Sequence, residues 1–569
     1  MGKHICTEII LLSMFLILGT ASALTDQQID GFSKFLDELV ICKKIPGGTV
    51  TIVENGSTVF TKGFGYYDVE KTKPIKNETK FCLGSLTKAF TSAVIATLLS
   101  DHKSYTWDTP IAQILGPSFR LANDLLSKNV NFRDLLAHKV GVPSNFGALL
   151  VGFPENLTRQ QFIEMLPYQE PSEPFRTKFL YSNYMYTLAA YVAEKISGKS
   201  WEELVREILF QPLEMDDSGF VTEVKNFNGF SPAFVYVDEK LDYVDKNLLY
   251  SVSPSGPAGS VYSTAEDMSK WMNFHLGNGS TSNGSELLTD AYFSELHKEQ
   301  INSPFSENNL YKPIHPISDM TISYCLGWIS SVYRGYRKLW HSGGIAGFSS
   351  MLWLFPDLKS GVFVALTGAK DNQHAQPIYA IVSQAADLLL GEEPWLNQST
   401  ACSFPAPWKE VKPIPRGTNK KPYPERYWNV TVSPDVYAGL YGHLAFGNIT
   451  IKANKDGLSL TYGRFGEMVL LPVNKNIFLG YFLNSLSFVT NSDGNTRPFM
   501  IEFKFNTEEI VEILEYPVDL MRPQKTSFIK IDKLRNFNQR GVSNSLKPEA
   551  EIKGFRTALS MAAAWCLYH

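Results

Sequence analysis

The chain has 569 residues, more than one ordinary hydrophobic core accommodates, so two or three domains are expected. Hydrophobic residues make up 44% and charged residues 19%, the balance of a soluble globular protein. The net charge is -4 with no long basic run, which gives no footing for a nucleic-acid partner.

In chain order, Lys3 precedes the apolar run Ile9–Leu18 (IILLSMFLIL) and the small triplet Ala21-Ser22-Ala23. That is the layout of a secretory signal over residues 1–23, cleaved after Ala23, and the run is too short to span a bilayer comfortably. No later segment reads as a membrane span. Eight N-x-S/T sequons, at Asn55, Asn77, Asn156, Asn278, Asn283, Asn397, Asn429 and Asn448, together with the signal point to a secreted, extracellular glycoprotein. Without Cys6 the cysteines are Cys42, Cys82, Cys325, Cys402 and Cys566, a sparse odd set that allows one or two bridges and shows no metal-like spacing.

Residues 24–395 form the first regime, in which helical periods alternate with short strands. Asp26–Leu39 is amphipathic, Gly48–Val53 and Val59–Tyr67 alternate like a hairpin, and Phe81–Leu99 (FCLGSLTKAFTSAVIATLL) is a long apolar helix. Met351–Phe355 and Val362–Thr367 flank the turn Pro356–Gly361 as a second hairpin. Strands at both ends with helices between predict an α+β domain, an antiparallel sheet packed with helices. Prolines cluster over residues 396–430, predicting a linker. Residues 431–535 turn to short strands at Asn448–Ile451, Leu458–Tyr462, Met468–Leu471, Ile477–Leu479, Ser485–Thr490, Phe499–Phe505 and Ile510–Leu514, the pattern of a small antiparallel β-barrel. Residues 536–569 are a polar tail ending in a weak helix.

The chemistry begins with the one charge inside the apolar helix. Lys88 follows Ser85 by three residues, so both lie on one helix face. Gly84 allows a tight entry that sets Ser85 in the first turn, where backbone N–H groups favour developing negative charge. Desolvation lowers a lysine pKa, and a neutral lysine can take the serine proton or hold a neighbouring phenolate. The pattern alone is weak: S-x-x-K arises by chance about once or twice in a chain of this size, and Ser527–Lys530 repeats it with no helix behind. Two further elements carry the weight. Tyr181-Ser182-Asn183 opens an apolar helical segment, with a phenol able to shuttle protons and an amide able to orient substrate. Trp340-His341-Ser342-Gly343-Gly344 leads into the second hairpin, where glycines admit substrate to the sheet edge and an N–H near Gly344 can pair with that of Ser85 as an oxyanion hole. There is no G-x-S-x-G elbow, no H-E-x-x-H and no histidine cluster suited to zinc, so neither cofactor nor metal is expected.

S-x-x-K, then Y-S-N, then H-S-G, spaced by roughly a hundred and then a hundred and sixty residues, resembles the serine β-lactamase and penicillin-binding-protein family, nearest its class C branch. Val130–Pro143 (VNFRDLLAHKVGVP), Gly198–Met215, Pro257–Met272 and Leu326-Gly327-Trp328 match the same type. The resemblance implies a β-lactamase/transpeptidase-like domain followed by a small barrel. It implies Ser85 as acylated nucleophile, Lys88 as its base and Tyr181 as general acid/base. Asn183, His341, Ser342, Gly343 and Gly344 then bind a small-molecule or peptide substrate. His341 departs from the family, whose third motif commonly starts with lysine, a fixed cation for a substrate carboxylate. A neutral histidine there predicts weak β-lactam turnover and better hydrolysis of small esters or D-amino-acid amides. With no dedicated deacylation glutamate in view, Tyr181 and Lys88 activate water. The competing reading is a non-catalytic glycoprotein of an extracellular or shell matrix, as in the gigasins of mollusc shells, with matrix components as partners.

Overall fold

The computed structural model describes residues 23–102, 104–237, 240–303, 315–368, 375–408, 428, 430–454, 457–492, 495–496, 498–519 and 524–531. The expected signal (1–23, save Ala23), the tail from 536, Asn429 and most of the proline-rich stretch lie outside them. No helix among the described residues is long and apolar enough to cross a membrane.

Helix α1 (Asp26–Cys42) starts at Thr25, whose capping box with Gln28 satisfies the first-turn donors. It leads into the hairpin β1 (Gly47–Glu54) and β2 (Ser57–Gly65). The apolar stretch becomes a short strand, Phe81–Cys82, a 3-10 turn, Gly84–Leu86, and helix α2 (Thr87–Asp101). Helices α3 (Asn183–Ser197) and α4 (Ala265–Leu276) follow. The chain then returns through β3 (Ile301–Asn302), β4 (Asp319–Tyr324), β5 (Ile329–Tyr333), β6 (Tyr336–Ile345), β7 (Phe348–Phe355) and β8 (Ser360–Thr367), closing with α5 (Ala375–Leu389).

These eight strands form one antiparallel sheet in the order β2-β1-β8-β7-β6-β5-β4-β3. The N-terminal hairpin therefore joins the C-terminal strands, with Val50 opposite Val364. Strands β1 and β8 are buried along their whole lengths, because both sheet faces are covered. One face packs on α1 and α5 through Phe32, Leu36, Trp353 and Ile381. The other carries the helical region, including α2, α4, Leu352 and Phe363. The α+β reading holds, and the helical layer is what stands over the site.

Of the stretch expected to be a linker, Gln398–Ser403 is helical, and Cys402 is bonded to Cys42 at the end of α1. Cys82 and Cys325 are buried free thiols. The second region is a closed eight-stranded antiparallel barrel: β9 (Gly439–His443), β10 (Gly447–Asn454), β11 (Gly457–Tyr462), β12 (Gly466–Pro472), β13 (Ile477–Phe482), β14 (Phe499–Phe505), β15 (Val511–Tyr516) and β16 (Thr526–Lys530), with β16 pairing back to β9.

Ser485–Thr490 is not a strand. It forms a 3-10 turn, Asn484–Leu486, and one helical turn, Ser487–Thr490. The Thr490 hydroxyl accepts from Phe482 N–H at 3.1 Å and donates to the Ser487 carbonyl at 3.3 Å, so local bonds override the alternating pattern. The segment leaves the barrel as an excursion between β13 and β14.

Candidate active site

Ser85 occupies the 3-10 turn that feeds α2, and Lys88 is the second residue of that helix. Helix α2 is apolar on all sides and therefore runs through the core, taking Lys88 with it at 0% exposure. Lys88 Nζ lies 3.1 Å from Ser85 Oγ, 2.7 Å from Asn183 Oδ1 and 2.8 Å from the Ala258 carbonyl. Burial pulls its pKa well below 10.5, toward the neutral amine. A neutral amine has two N–H groups and one lone pair. Asn183 Oδ1 and the Ala258 carbonyl can only accept, so they take the two N–H groups and leave the lone pair facing the Ser85 hydroxyl.

Each of those acceptors is held in turn. Thr91 Oγ1 donates to the Pro257 carbonyl at 2.7 Å, and Thr87 Oγ1 accepts from Val261 N–H at 3.0 Å, tying the Ala258 segment to α2. Asn183, the first residue of α3, donates through Nδ2 to Ser144 Oγ at 3.1 Å, which orients Oδ1 toward Lys88. Gly327 has φ +84°, and a Cβ there would stand 3.0 Å from the Lys88 carbonyl, so glycine lets its loop pack on the turn of α2 that carries Lys88.

Tyr181 donates to Ser85 Oγ at 2.7 Å, and its packed surroundings push the phenol pKa well above 10. Lys88 Nζ lies 4.7 Å from the Tyr181 ring centroid and 5.4 Å from that of Tyr186. Tyr181 leans on His138, a residue the motif search did not single out although it lies inside Val130–Pro143. His138 is fully buried at φ 58°, its ring centroid 4.4 Å from that of Tyr181 and 4.9 Å from that of Tyr324. Its Nδ1 accepts from Ser182 N–H at 3.0 Å, which puts the proton on Nε2, an atom with no partner among the described residues. Burial, with Lys88 and His341 nearby, holds this imidazole neutral. The only advance signal for His138 was the resemblance of its surrounding segment, since a lone histidine carries none.

The third side is β6, paired with β7 so that Gly343 faces Ser350 and Gly344 faces Ser349. A Cβ on Gly343 would stand 1.9 Å from the Leu83 carbonyl oxygen, and one on Gly84 (φ +55°) would stand 2.6 Å from Gly344 N. Glycine at both positions lets the strand close against the turn that carries Ser85, and Ser350 Oγ fastens it by donating to the Leu83 carbonyl at 2.7 Å. The Gly344 backbone thus stands beside Ser85.

His341 does not line this side. It is 4% exposed, donates from Nδ1 to the Ser342 carbonyl at 2.6 Å and accepts at Nε2 from Tyr324 at 3.0 Å. Burial and Lys88 push its pKa down to about 3, so it is neutral. Strand alternation turns it inward, and Gly343 on the same face is drawn against the Leu83 carbonyl. The pocket wall instead starts at Gly344 and continues through Ile345 and Ala346, with Ser85 and Asn183 on the adjoining sides. Six of the sequon asparagines (Asn55, Asn77, Asn156, Asn278, Asn283 and Asn397) are exposed, and Asn448 is half-buried on β10.

The family model described as Beta-lactamase matches residues 32–387, which takes in all three motifs and the whole eight-stranded sheet. The chain belongs to the beta-lactamase family. This beta-lactamase-family chain is 27% identical to an unguisins hydrolase of Aspergillus campestris, over 76% of its own length and 80% of that protein's. It is 28% identical to gigasin-6 of Magallana gigas over 41% of this chain and 78% of that one. An octameric penicillin-binding protein homologue from Pyrococcus abyssi shares the fold at TM-score 0.54 and 21% identity, over 89% of this chain and all of that chain. The last likeness reaches beyond the beta-lactamase domain into the barrel. The family is one of serine hydrolases built on this fold.

Proposed function

We propose that the protein is a secreted serine hydrolase of the class C type that forms an acyl-enzyme at Ser85 on a small amide or ester, D-amino-acid amides and peptides included. The observation that carries this reading is the fully buried Lys88 amine, with Nζ 3.1 Å from Ser85 Oγ, 2.7 Å from Asn183 Oδ1 and 2.8 Å from the Ala258 carbonyl oxygen. Ser85 Oγ attacks the carbonyl carbon and its proton passes to Lys88. The Ser85 and Gly344 N–H groups hold the oxyanion. Tyr181 gives its proton to the leaving amine or alcohol as the C–N or C–O bond breaks. Water then attacks the acyl-enzyme, its proton goes to the Tyr181 phenolate, and Lys88 returns its proton to Ser85 Oγ as the acid leaves. Every group ends as it began.

The neutral, inward-turned His341 supplies no cation for a substrate carboxylate, which favours esters and amides over β-lactams. A fluorophosphonate probe followed by mass spectrometry should add one label at Ser85, lost in Ser85→Ala. Hydrolysis of a chromogenic β-lactam at about 1 per second or faster, with esters ignored, overturns the substrate preference.

The likeness to gigasin-6 and the exposed sequons favour one second reading, a glycoprotein of an extracellular matrix that keeps the fold without turnover. Complete absence of labelling under all conditions supports it.

A further inference from the structure

The pocket in front of Ser85 is built by two domains. Its floor is Ser85, Asn183, Ala258 and Gly344. Its walls are mostly apolar, with Leu149 and Leu150 from the short helix Phe146–Leu150, Leu248 and Val252 from the 3-10 segment Lys246–Val252, and Ile345 from β6, interrupted by the hydroxyls of Ser251 and Ser255. The last wall, Phe488, comes from the barrel, on the helical turn Ser487–Thr490 that leaves it between β13 and β14. Among the described residues none that lines the pocket is charged.

The barrel is fastened at this place. Ser485 Oγ donates to Asp245 Oδ2 at 2.6 Å, anchoring the excursion to the residue that caps the 3-10 segment in the wall. The turn between β11 and β12 bonds to the end of the short helix, with Arg464 N–H on the Gly152 carbonyl at 3.1 Å and Phe465 N–H on the Val151 carbonyl at 2.9 Å. Ala148 N–H in that helix donates to the Val518 carbonyl at 3.2 Å. Two of the pocket's walls are therefore braced by the barrel, and a third belongs to it.

We propose that the barrel sets the acyl-group specificity of the hydrolase. The pocket takes the uncharged, short aliphatic side chain borne on the carbonyl side of the scissile bond, and Phe488 sets its upper size. The inference rests on acyl transfer at Ser85. The enclosed part of the pocket is about 90 Å³, which favours a group of a few carbons, with Phe488 closing the far side. A carboxylate entering it would lose its water and meet no cation.

The test is the kcat/KM of the full chain on p-nitrophenyl esters of acetate, butyrate, octanoate and hemisuccinate, with Ser85 labelling followed in parallel. Butyrate should exceed both octanoate and hemisuccinate by about tenfold or more. Phe488→Ala should raise the octanoate-to-butyrate ratio about tenfold, and Phe488→Trp should lower it. Phe488→Leu, which keeps an apolar side chain, should move the ratio in the same direction as Phe488→Ala and covers the case in which that variant fails to fold. A ratio unmoved in these variants while Ser85 still labels, or a preference for hemisuccinate, overturns the inference and leaves the serine hydrolase reading standing. Loss of labelling in the unmodified chain overturns both.

Discussion

Ser85–Lys88 and Ser527–Lys530 both read S-x-x-K, and the structure makes different things of them. Ser85 and Lys88 sit where a 3-10 turn enters a buried helix, so their side chains meet on one face and the amine is stripped of water. Ser527 and Lys530 sit on β16, where residues three apart point to opposite faces. There Ser527 Oγ donates to Glu515 at 2.7 Å, while Lys530 lies 5.7 Å from the Tyr441 ring centroid. The four letters carry no chemistry of their own. Helical geometry supplies the approach and burial strips the amine of water.

The largest effect expected is at the nucleophile: Ser85→Ala should cut ester turnover by about 10⁴ to 10⁶, read as initial rate alongside loss of the covalent label. Next is Lys88→Met, with a loss of about 10² to 10⁴ and a changed pH profile. Protonated Lys88 has no lone pair, so the acylation rate should fall as pH drops through its lowered pKa. Single-turnover rates across pH should show that acid limb in the unmodified chain and none in the variant. A limb that survives Lys88→Met breaks the assignment of the base. Gly343→Ala comes third: a Cβ 1.9 Å from the Leu83 carbonyl must push β6 away from the Ser85 turn. Urea denaturation should report about 1–3 kcal/mol of lost stability, together with reduced kcat. The smallest effect belongs to the Ser527–Lys530 pair. Ser527→Ala and Lys530→Met should leave turnover within about twofold and stability within about 1 kcal/mol, and a large activity loss from either would undo the contrast.

Much of the fold was legible because its signals are local. The period-2 runs marked two of the sheet's hairpins, β1–β2 and β7–β8, the apolar stretch marked α2, and six of the eight barrel strands were visible as separate runs. Gly439–His443 and Thr526–Lys530 do not stand out as runs in the sequence, and barrel closure makes them partners of one another. Ser485–Thr490 alternates like a strand, yet with no neighbour to pair with it folded on its own bonds. The site was legible in its order of motifs but not in its aim: nothing local to Trp340–Gly344 says that His341 turns inward to Tyr324 and that the wall begins at Gly344.

The sequence by itself determined which chemical groups are present: a serine and lysine one helical turn apart, a tyrosine and an amide at the head of a second helix, and glycines at the edge of a strand. Periodicity and chain order carry that much. Only the tertiary structure decided their surroundings and the walls of the pocket before them. Desolvation of Lys88, the orientation of Asn183 and the neutrality of His341 depend on atoms contributed by segments far apart in the chain. The pocket's outer wall, Phe488, lies in a different domain from the serine it faces, and no local pattern encodes a contact that only docking of the two domains creates.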